Sequence, residues 1–185
     1  VDAIFRLTKS MQYKKINLKF DQSSPSIQLP LYKLSPYNSQ NTLISYKGFW
    51  SLYLPKTVPF RLTDIWRSYW SQRLMWLLNE TITFNGPNAY QLRNSHSYLK
   101  DFEEEKNMYT KTQDLIDFLF KWKCAFNKFY DCLIDLSEKM AENNYWEYDE
   151  LNSIREWISD LNKINNKEPD IVNYENTFTF NENDS

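Results

Sequence analysis

The chain has 185 residues and a formal net charge of −2, and it is rich in aromatic residues (17%) but has only two glycines and one histidine, His96. This length suits one domain with a hydrophobic core, and a balanced charge without a basic stripe argues against a nucleic-acid binder. The scarcity of glycine excludes a Gly-rich phosphate loop within these residues, and a single histidine leaves almost nothing from which to build a histidine-based metal site or a Ser-His-Asp triad.

The first third of the sequence predicts short strands and loops. The first ten residues are typical of a strand ending in a loop, and residues 16–20 alternate apolar and polar side chains like a short strand. Three prolines among serines and asparagines predict a long irregular connection over residues 21–40. Asn41 or Thr42 is then placed to cap a short helix that ends before Pro55.

The rest of the chain predicts helices. An aromatic helix over residues 64–79 is followed by a strand and a turn within residues 81–94. Apolar residues then repeat at helical spacing from about residue 113 to 144, as one long amphipathic helix or two joined by a bend. A shorter helix is predicted over residues 149–162, with one apolar face, and a polar tail follows Pro169. That face consists of Leu151, Ile154, Trp157, Ile158 and Leu161.

The aromatic helix carries a polar stripe. At 100° per residue, five of its polar side chains fall on one side, namely Asp64, Arg67, Ser68, Ser71 and Gln72. Asp64 in the first turn is favoured by the helix dipole and is placed to pair with Arg67 one turn on. The functional alternative is a carboxylate at the mouth of a cleft, acting as a general base or binding sugar hydroxyls.

Arg73 lies on the opposite, aromatic side of the same helix. A buried guanidinium must stack on rings or meet a carboxylate, because an unpaired buried charge is costly. The sequence favours a structural ion pair for Arg73, and a bound phosphate is the functional alternative.

Two cysteines and two glycosylation triplets complete the local motifs. Cys124 and Cys132 lie in a predicted helix, roughly 12 Å apart along its axis, so we expect them not to bridge to each other. They are then buried free thiols or partners of cysteines elsewhere. Asn79-Glu80-Thr81 and Asn183-Asp184-Ser185 are acceptor triplets for N-linked glycans.

Several stretches, in this order, resemble the STELLO-type family of glycosyltransferase-like proteins: "DAIFRLTK", "YNSQNT", "FWSLYLPKTVPFRLTDIWRSYWSQRLMW", "FLFKWKC" and "EKMAENNYW". The resemblance implies an α/β fold, the acceptor-side part of a GT-A-like Rossmann-type glycosyltransferase domain, followed by a helical C-terminal segment. Residues 1–100 would form the acceptor-side part, residues 101–165 a helical region packed on it, and residues 166–185 a polar tail.

The same resemblance implies a divalent metal, Mn²⁺ or Mg²⁺, held against the donor diphosphate by an acidic cluster. Asp2 would be the trailing member of that cluster. The chain begins with valine in mid-pattern, so we expect it to be a piece of a longer protein in which the other metal ligands and a membrane anchor precede it. By itself this piece is expected to be inactive.

The resemblance also assigns roles to residues around the aromatic helix. Asp64 would be the catalytic base on the acceptor hydroxyl, with Arg61 and Arg67 contacting phosphate or acceptor. Trp66 and Trp70 would form a sugar-stacking platform, with a place in the aromatic core as the alternative.

Two polar residues of the "YNSQNT" loop are also candidates. Asn38 and Gln40 would hydrogen-bond sugar hydroxyls or order their own loop. The run Glu103-Glu104-Glu105 is interpreted as a solvated helix face.

The function implied is transfer of a sugar from a nucleotide-sugar donor to a glycan or protein acceptor, in the Golgi lumen, by a single-pass membrane protein. The alternative is a catalytically inactive, transferase-like scaffold that assists assembly or trafficking of a glycan-synthase complex. A lectin-like sugar binder, which needs only the aromatic platform, is a third possibility.

Overall fold

The computed structural model describes residues 21–89 and 97–172, which form a mixed, mainly helical fold with one small sheet. The helices of this part are α1 (Thr63–Met75), α2 (Tyr98–Glu104), α3 (Lys106–Lys121), α4 (Phe129–Glu142) and α5 (Asp149–Lys163). Three 3-10 helices lie at Tyr46–Leu52, Phe60–Leu62 and Trp76–Leu78. Strands β1 (Ile27–Gln28) and β2 (Thr83–Phe84) pair antiparallel, with Ile27 opposite Phe84 and Gln28 opposite Thr83.

The strand predicted within residues 81–94 is confirmed as β2 at Thr83–Phe84, whereas the strands predicted within residues 1–20 lie outside the described residues. The short helix before Pro55 is confirmed as the 3-10 helix Tyr46–Leu52, but its predicted cap is wrong. The helix begins after Ser45, whose side chain makes no capping hydrogen bond. Asn41 lies outside the helix and donates to Asn88 Oδ1 instead.

Helix α1 forms the centre of the molecule. Its residues 66–74 are all buried, the polar side chains as well as the tryptophans. Such a helix is covered on every side by other elements, and its buried polar side chains are stabilised there by hydrogen bonds. Helix α3 packs against α1, α4 packs on α5, and α5 contacts the 3-10 helix Tyr46–Leu52.

The long helix predicted over 113–144 is two helices with an irregular connection over residues 122–128. Arg73 of α1 explains the break, because its guanidinium takes the carbonyls of Leu119 and Trp122 at 2.7 and 2.5 Å. In a continuous helix those carbonyls would accept from the N–H groups four residues further on. Helix α3 ends at Lys121 as a result.

The break corrects the interpretation of the cysteines. Cys124 lies in the connection and Cys132 in the first turn of α4, so their Cα atoms are 5.3 Å apart and the two form a disulfide. The prediction that they do not bridge to each other was wrong because it placed both on one continuous helix.

Helix α5 confirms its predicted apolar face. Leu151, Ile154 and Leu161 are buried, and Trp157 and Ile158 pack partly buried against the core. Beyond α5 the chain returns to the core, where the Val172 N–H donates to the Leu77 carbonyl at 2.9 Å.

Candidate functional site

The polar stripe predicted on α1 exists, and the loop of residues 35–40 lies over it. We call this loop the cover segment. Gln72 holds its first residue twice, since its Oε1 accepts from the Ser35 N–H at 3.1 Å and its Nε2 donates to the Ser35 carbonyl at 2.8 Å. The side chains of Ser68 and Ser71, both fully buried, contact Tyr37.

Asp64 lies in the first turn of α1 and is partly exposed. Its Oδ2 accepts a hydrogen bond from the Ser39 N–H at 3.0 Å. The predicted ion pair with Arg67 is wrong, because Ser39 lies between the two groups and its hydroxyl accepts from Arg67 Nη2 at 2.8 Å. Ser39 therefore joins a carboxylate and a guanidinium that lie one helical turn apart.

Arg67 is only 2% exposed, although it carries a positive charge. Its Nη1 donates to the Ser51 carbonyl at 3.2 Å, and its guanidinium carbon lies 5.2 Å from the centroid of the Tyr37 ring. Nε has no hydrogen-bond partner, and in the part of the chain that the structure describes no carboxylate forms an ion pair with Arg67. A buried cation without a counter-charge is unfavourable, so an anionic group at this position would stabilise it.

Arg61 is engaged by acidic side chains of α2 and its end. Nη1 lies 3.2 Å from Asp101 Oδ1, and Nε and Nη2 donate to Glu105 Oε1 at 3.0 and 2.7 Å. Desolvation lowers the pKa of Arg61, but the hydrogen bond and charge of Glu105 outweigh it and raise the pKa above its usual value. Glu105 is 5% exposed, so the prediction of a solvated acidic face is wrong for this residue.

Trp66 and Trp70 are each 1% exposed and lie in the aromatic core. Trp70 packs edge-on against Trp50 and Trp146, and its Nε1 donates to Ser137 Oγ. Trp66 packs edge-on against Tyr145. Neither ring presents a face to solvent, so in this conformation they build the core and not a sugar platform.

Asn38 and Gln40 are both exposed, in the cover segment. Asn38 Oδ1 accepts from the Gln40 N–H at 3.2 Å, and the Asn38 carbonyl accepts from the Thr42 hydroxyl at 2.6 Å. Asn38 thus orders its loop, which was the alternative to binding sugar hydroxyls.

Arg73 stacks on rings, one of the two structural roles that the sequence allows for it. Its guanidinium carbon lies 4.6 Å from the Trp122 ring centroid and 5.4 Å from that of Trp76. The carbonyls that it contacts belong to the C-terminal end of α3, where the helix dipole is negative. This arrangement is structural.

The remaining predicted site residues lie elsewhere. Asn79 is exposed just after α1 and its 3-10 extension, whereas Asp2, His96 and Asn183 lie outside the described residues. Within residues 21–89 and 97–172, no group of three or more His, Cys, Asp or Glu side chains is placed to hold a metal ion. In the same ranges no helix has the length and apolar character that a membrane span requires.

The sequence alone did not reveal two sets of polar contacts, those of Ser39 and of Glu150. Ser39 belongs to the "YNSQNT" loop, but its bridging position depends on Asp64, which is 25 residues away in sequence on α1. Glu150 is fully buried, and its carboxylate accepts from the Lys56 N–H at 2.8 Å and from Tyr53 Oη at 3.2 Å. An acidic residue in the first turn of α5 was the only local signal for it.

Comparison with known proteins identifies the class of protein to which this chain belongs, a family of glycosyltransferases. The chain belongs to the STELLO glycosyltransferases, whose family model matches residues 61–185. This confirms the resemblance drawn from the sequence motifs.

Two curated relatives come from Arabidopsis thaliana. The chain is 33% identical to "Probable glycosyltransferase STELLO1" and 30% identical to "Probable glycosyltransferase STELLO2", over 95% of its length in both cases. It spans only 22% and 23% of those two relatives. No solved structure matches the chain.

Proposed function

We propose that this chain is the acceptor-side part of a glycosyltransferase that moves a sugar from a nucleotide-sugar to a glycan or protein acceptor. Membership of the STELLO glycosyltransferases supports the reaction class. In this proposal the protein has a GT-A-like nucleotide-binding sheet outside the described residues and acts in the Golgi lumen, held by a membrane anchor. The disulfide supports a lumenal position, because disulfides persist in oxidising compartments.

The observation that carries the proposal is the pair of opposite charges on adjacent turns of α1. Asp64 offers a carboxylate at the rim of the stripe, and Arg67 offers a cation that lacks a carboxylate partner in the described chain. Glycosyl transfer with inversion needs a base for the acceptor and positive charge for the departing diphosphate.

In the proposed step, Asp64 takes the proton of the acceptor hydroxyl as its oxygen attacks C1 of the donor sugar. The C1–O bond to the diphosphate breaks, and the nucleoside diphosphate leaves with the bonding electrons. Arg67 would neutralise charge on a phosphoryl oxygen, a role that suits its planar donors. Ser39 occupies Asp64 Oδ2 and Arg67 Nη2, so in this proposal the cover segment moves aside before these two atoms contact substrate.

A divalent metal would assist the leaving diphosphate when bound. The described residues provide no ligand set for it, so Asp2 is the one residue of this chain that we assign to the metal, and the step above does not depend on it. We assign Arg61 no direct contact with phosphate in this proposal, since Asp101 and Glu105 engage its guanidinium.

Asp64→Asn tests the proposed base. The amide oxygen still accepts the Ser39 N–H, so we expect unchanged folding and a loss of about 10²- to 10⁴-fold in transfer rate. Asp131→Asn is the matched control, because Asp131 is an exposed first-turn aspartate of α4. Equal transfer rates for wild type and Asp64→Asn would contradict the assignment.

Donor binding is tested first, by calorimetric titration of UDP- and GDP-sugars into the complete protein with and without Mn²⁺. We expect the affinity for the donor to fall in Arg67→Lys, which keeps the charge but loses the paired donors of the planar guanidinium. We expect donor binding to lose its metal dependence in Asp2→Ala. A folded wild type that binds no donor would contradict the enzymatic proposal.

The alternative function, an inactive scaffold for a glycan-synthase complex, has two observations in its favour. The cover segment closes the polar stripe, and the two tryptophans of the predicted sugar platform are buried. A scaffold predicts that Asp64→Asn is silent in cells, whereas substitutions of exposed residues on α4 and α5 disrupt complex assembly.

A further inference from the structure

Asn79 lies in an exposed turn that ends the central helix. Its backbone is left-handed, with φ 56° and ψ 33°, and the next N–H, that of Glu80, donates to the Met75 carbonyl at 2.9 Å. Asparagine and glycine are the residues that suit this helix-ending conformation. The cap therefore accounts for an asparagine at position 79, and the hydroxyl of residue 81 takes no part in it.

Thr81 completes the acceptor triplet Asn79-Glu80-Thr81, and Asn79 and Glu80 are both exposed. The Thr81 hydroxyl accepts a hydrogen bond from Gln28 Nε2 at 2.9 Å, which fixes the triplet beside β1. A shallow, open groove of mixed polar and apolar character borders Asn79 here, so a sugar attached to Asn79 would have both carbon atoms and polar groups to rest on. The groove is lined by Gln28, Leu29, Pro30, Leu31, Asn79 and Thr81.

The disulfide between Cys124 and Cys132 is an independent observation on the same question. Disulfides form in the oxidising lumen of the secretory pathway, which is also where N-linked glycans are attached. The exposed triplet and the disulfide are independent features of the chain, and both indicate the same compartment.

We propose that Asn79 carries an N-linked glycan whose first sugar lies over this groove. In the modification, Asn79 Nδ2 attacks C1 of an oligosaccharide carried on a polyprenyl diphosphate. The C1–O bond to the diphosphate breaks, and polyprenyl diphosphate leaves. The amide proton passes to a base of the cellular enzyme that transfers the oligosaccharide. The proposal does not depend on the transferase proposal, since the glycan is added to the chain and not by it.

The position of Asn79 keeps the glycan away from the candidate site. Fifteen residues separate Asp64 from Asn79 along α1 and its extension, which is roughly 22 Å at 1.5 Å per residue. A glycan at the far end of the helix is therefore attached well away from Asp64 and Arg67.

The test expresses the full-length protein with its own targeting in eukaryotic cells and compares its gel mobility before and after treatment with peptide N-glycosidase. Asn79→Gly keeps the left-handed cap and removes the acceptor nitrogen. Thr81→Ser keeps the triplet, and Thr81→Ala removes it. Peptide mass spectrometry identifies the site, because the glycosidase converts a glycosylated Asn to Asp.

We expect wild type and Thr81→Ser to shift and to yield Asp at position 79, while Asn79→Gly and Thr81→Ala lose that glycan. Thermal unfolding of Asn79→Gly checks that the cap is intact. A shift that Asn183→Gln abolishes and Asn79→Gly leaves unchanged would overturn the proposal. So would an unmodified Asn79 in protein whose disulfide is shown to be formed by thiol labelling.

Discussion

Arg73 shows how one side chain determines where another element ends. Its guanidinium is 2% exposed, contacts the carbonyls of Leu119 and Trp122, and lies between the rings of Trp76 and Trp122. Hydrogen bonds from a charged donor each contribute about 1.5–3 kcal/mol to stability. Arg73 therefore joins α1 to the end of α3 as strongly as a buried apolar side chain would.

We expect Arg73→Met to lower the free energy of unfolding by about 3 kcal/mol, because methionine fills the space between the rings but leaves both carbonyls unpaired. Urea unfolding measures the change. Arg155→Met is the control, since Arg155 is exposed on α5 and its loss should change stability by no more than about 0.5 kcal/mol. Equal effects of the two substitutions would contradict the role assigned to Arg73.

Tyr53 and Glu150 predict a pH dependence of stability. Burial and, after it, the Glu150 carboxylate raise the pKa of Tyr53 above its usual value of 10.0. The folded protein therefore keeps the Tyr53 proton at a pH where the unfolded chain has released it. The stability that this group contributes is complete below pH 10 and is lost as the pH rises beyond it.

We expect Tyr53→Phe to lower the free energy of unfolding at pH 8 by about 1.5–3 kcal/mol, through loss of the hydrogen bond to Glu150. Between pH 9.5 and 11 the difference from wild type should shrink, because only wild type loses the Tyr53 contribution. Denaturant unfolding at each pH measures it, with the exposed Tyr148→Phe as control. A difference that stays constant or grows with pH would refute the assignment.

At the scale of elements, the disulfide and Arg73 act on the same connection. The loop that the Cys124–Cys132 bond closes spans eight positions, and Trp122, at the start of this connection, is also held by Nε1 donating to Asp135 Oδ2 at 2.7 Å. The connection is thus held to α4 by a covalent bond and an indole hydrogen bond, and to α1 by a buried cation.

We expect the double substitution Cys124→Ala and Cys132→Ala to lower the free energy of unfolding by about 2–3 kcal/mol, the loop-entropy value for so short a loop. A reductant should produce the same loss in wild type and none in the double variant. Chemical denaturation with and without the reductant measures both. A wild type that is insensitive to reductant would show that the bond does not stabilise the fold.

Sequence patterns predicted the elements whose signals are local. The apolar repeat of α5 and the polar stripe of α1 follow from residues within one helix, so periodicity was enough to find them. The break at 122–128 depends on Arg73, which is about 50 residues away in sequence. The apolar repeat of residues 113–144 cannot show a contact with so distant a residue.

The candidate site likewise has features that the sequence predicted and features that depend on the tertiary fold. Asp64 and Arg67 were found as members of a stripe, but the Ser39 bridge and the burial of Arg67 are tertiary features. Helical spacing can place side chains on one face, but only the folded chain shows what covers that face.

For the molecule as a whole, the helices after residue 97 cover the central helix that precedes them. Trp70 Nε1 donates to Ser137 Oγ, and Trp157 Nε1 donates to the Trp50 carbonyl. The Trp50 and Phe129 ring centroids are 4.8 Å apart. The predicted boundary at residue 100 falls inside α2, so a cut there would expose the aromatic face of α1 to water.

We expect neither of two fragments, residues 1–96 and residues 97–185, to unfold cooperatively. Neither can by itself bury the tryptophans of α1 and of the 3-10 helix Tyr46–Leu52. Mixed in equal amounts, the two should associate and shift tryptophan emission to shorter wavelength. Arg73→Met in the first fragment should weaken this association, whereas Arg155→Met in the second should leave it unchanged. If the fragment 1–96 unfolded cooperatively without its partner, the acceptor-side part would be an independent domain, and the helical region would be free to serve a partner protein instead.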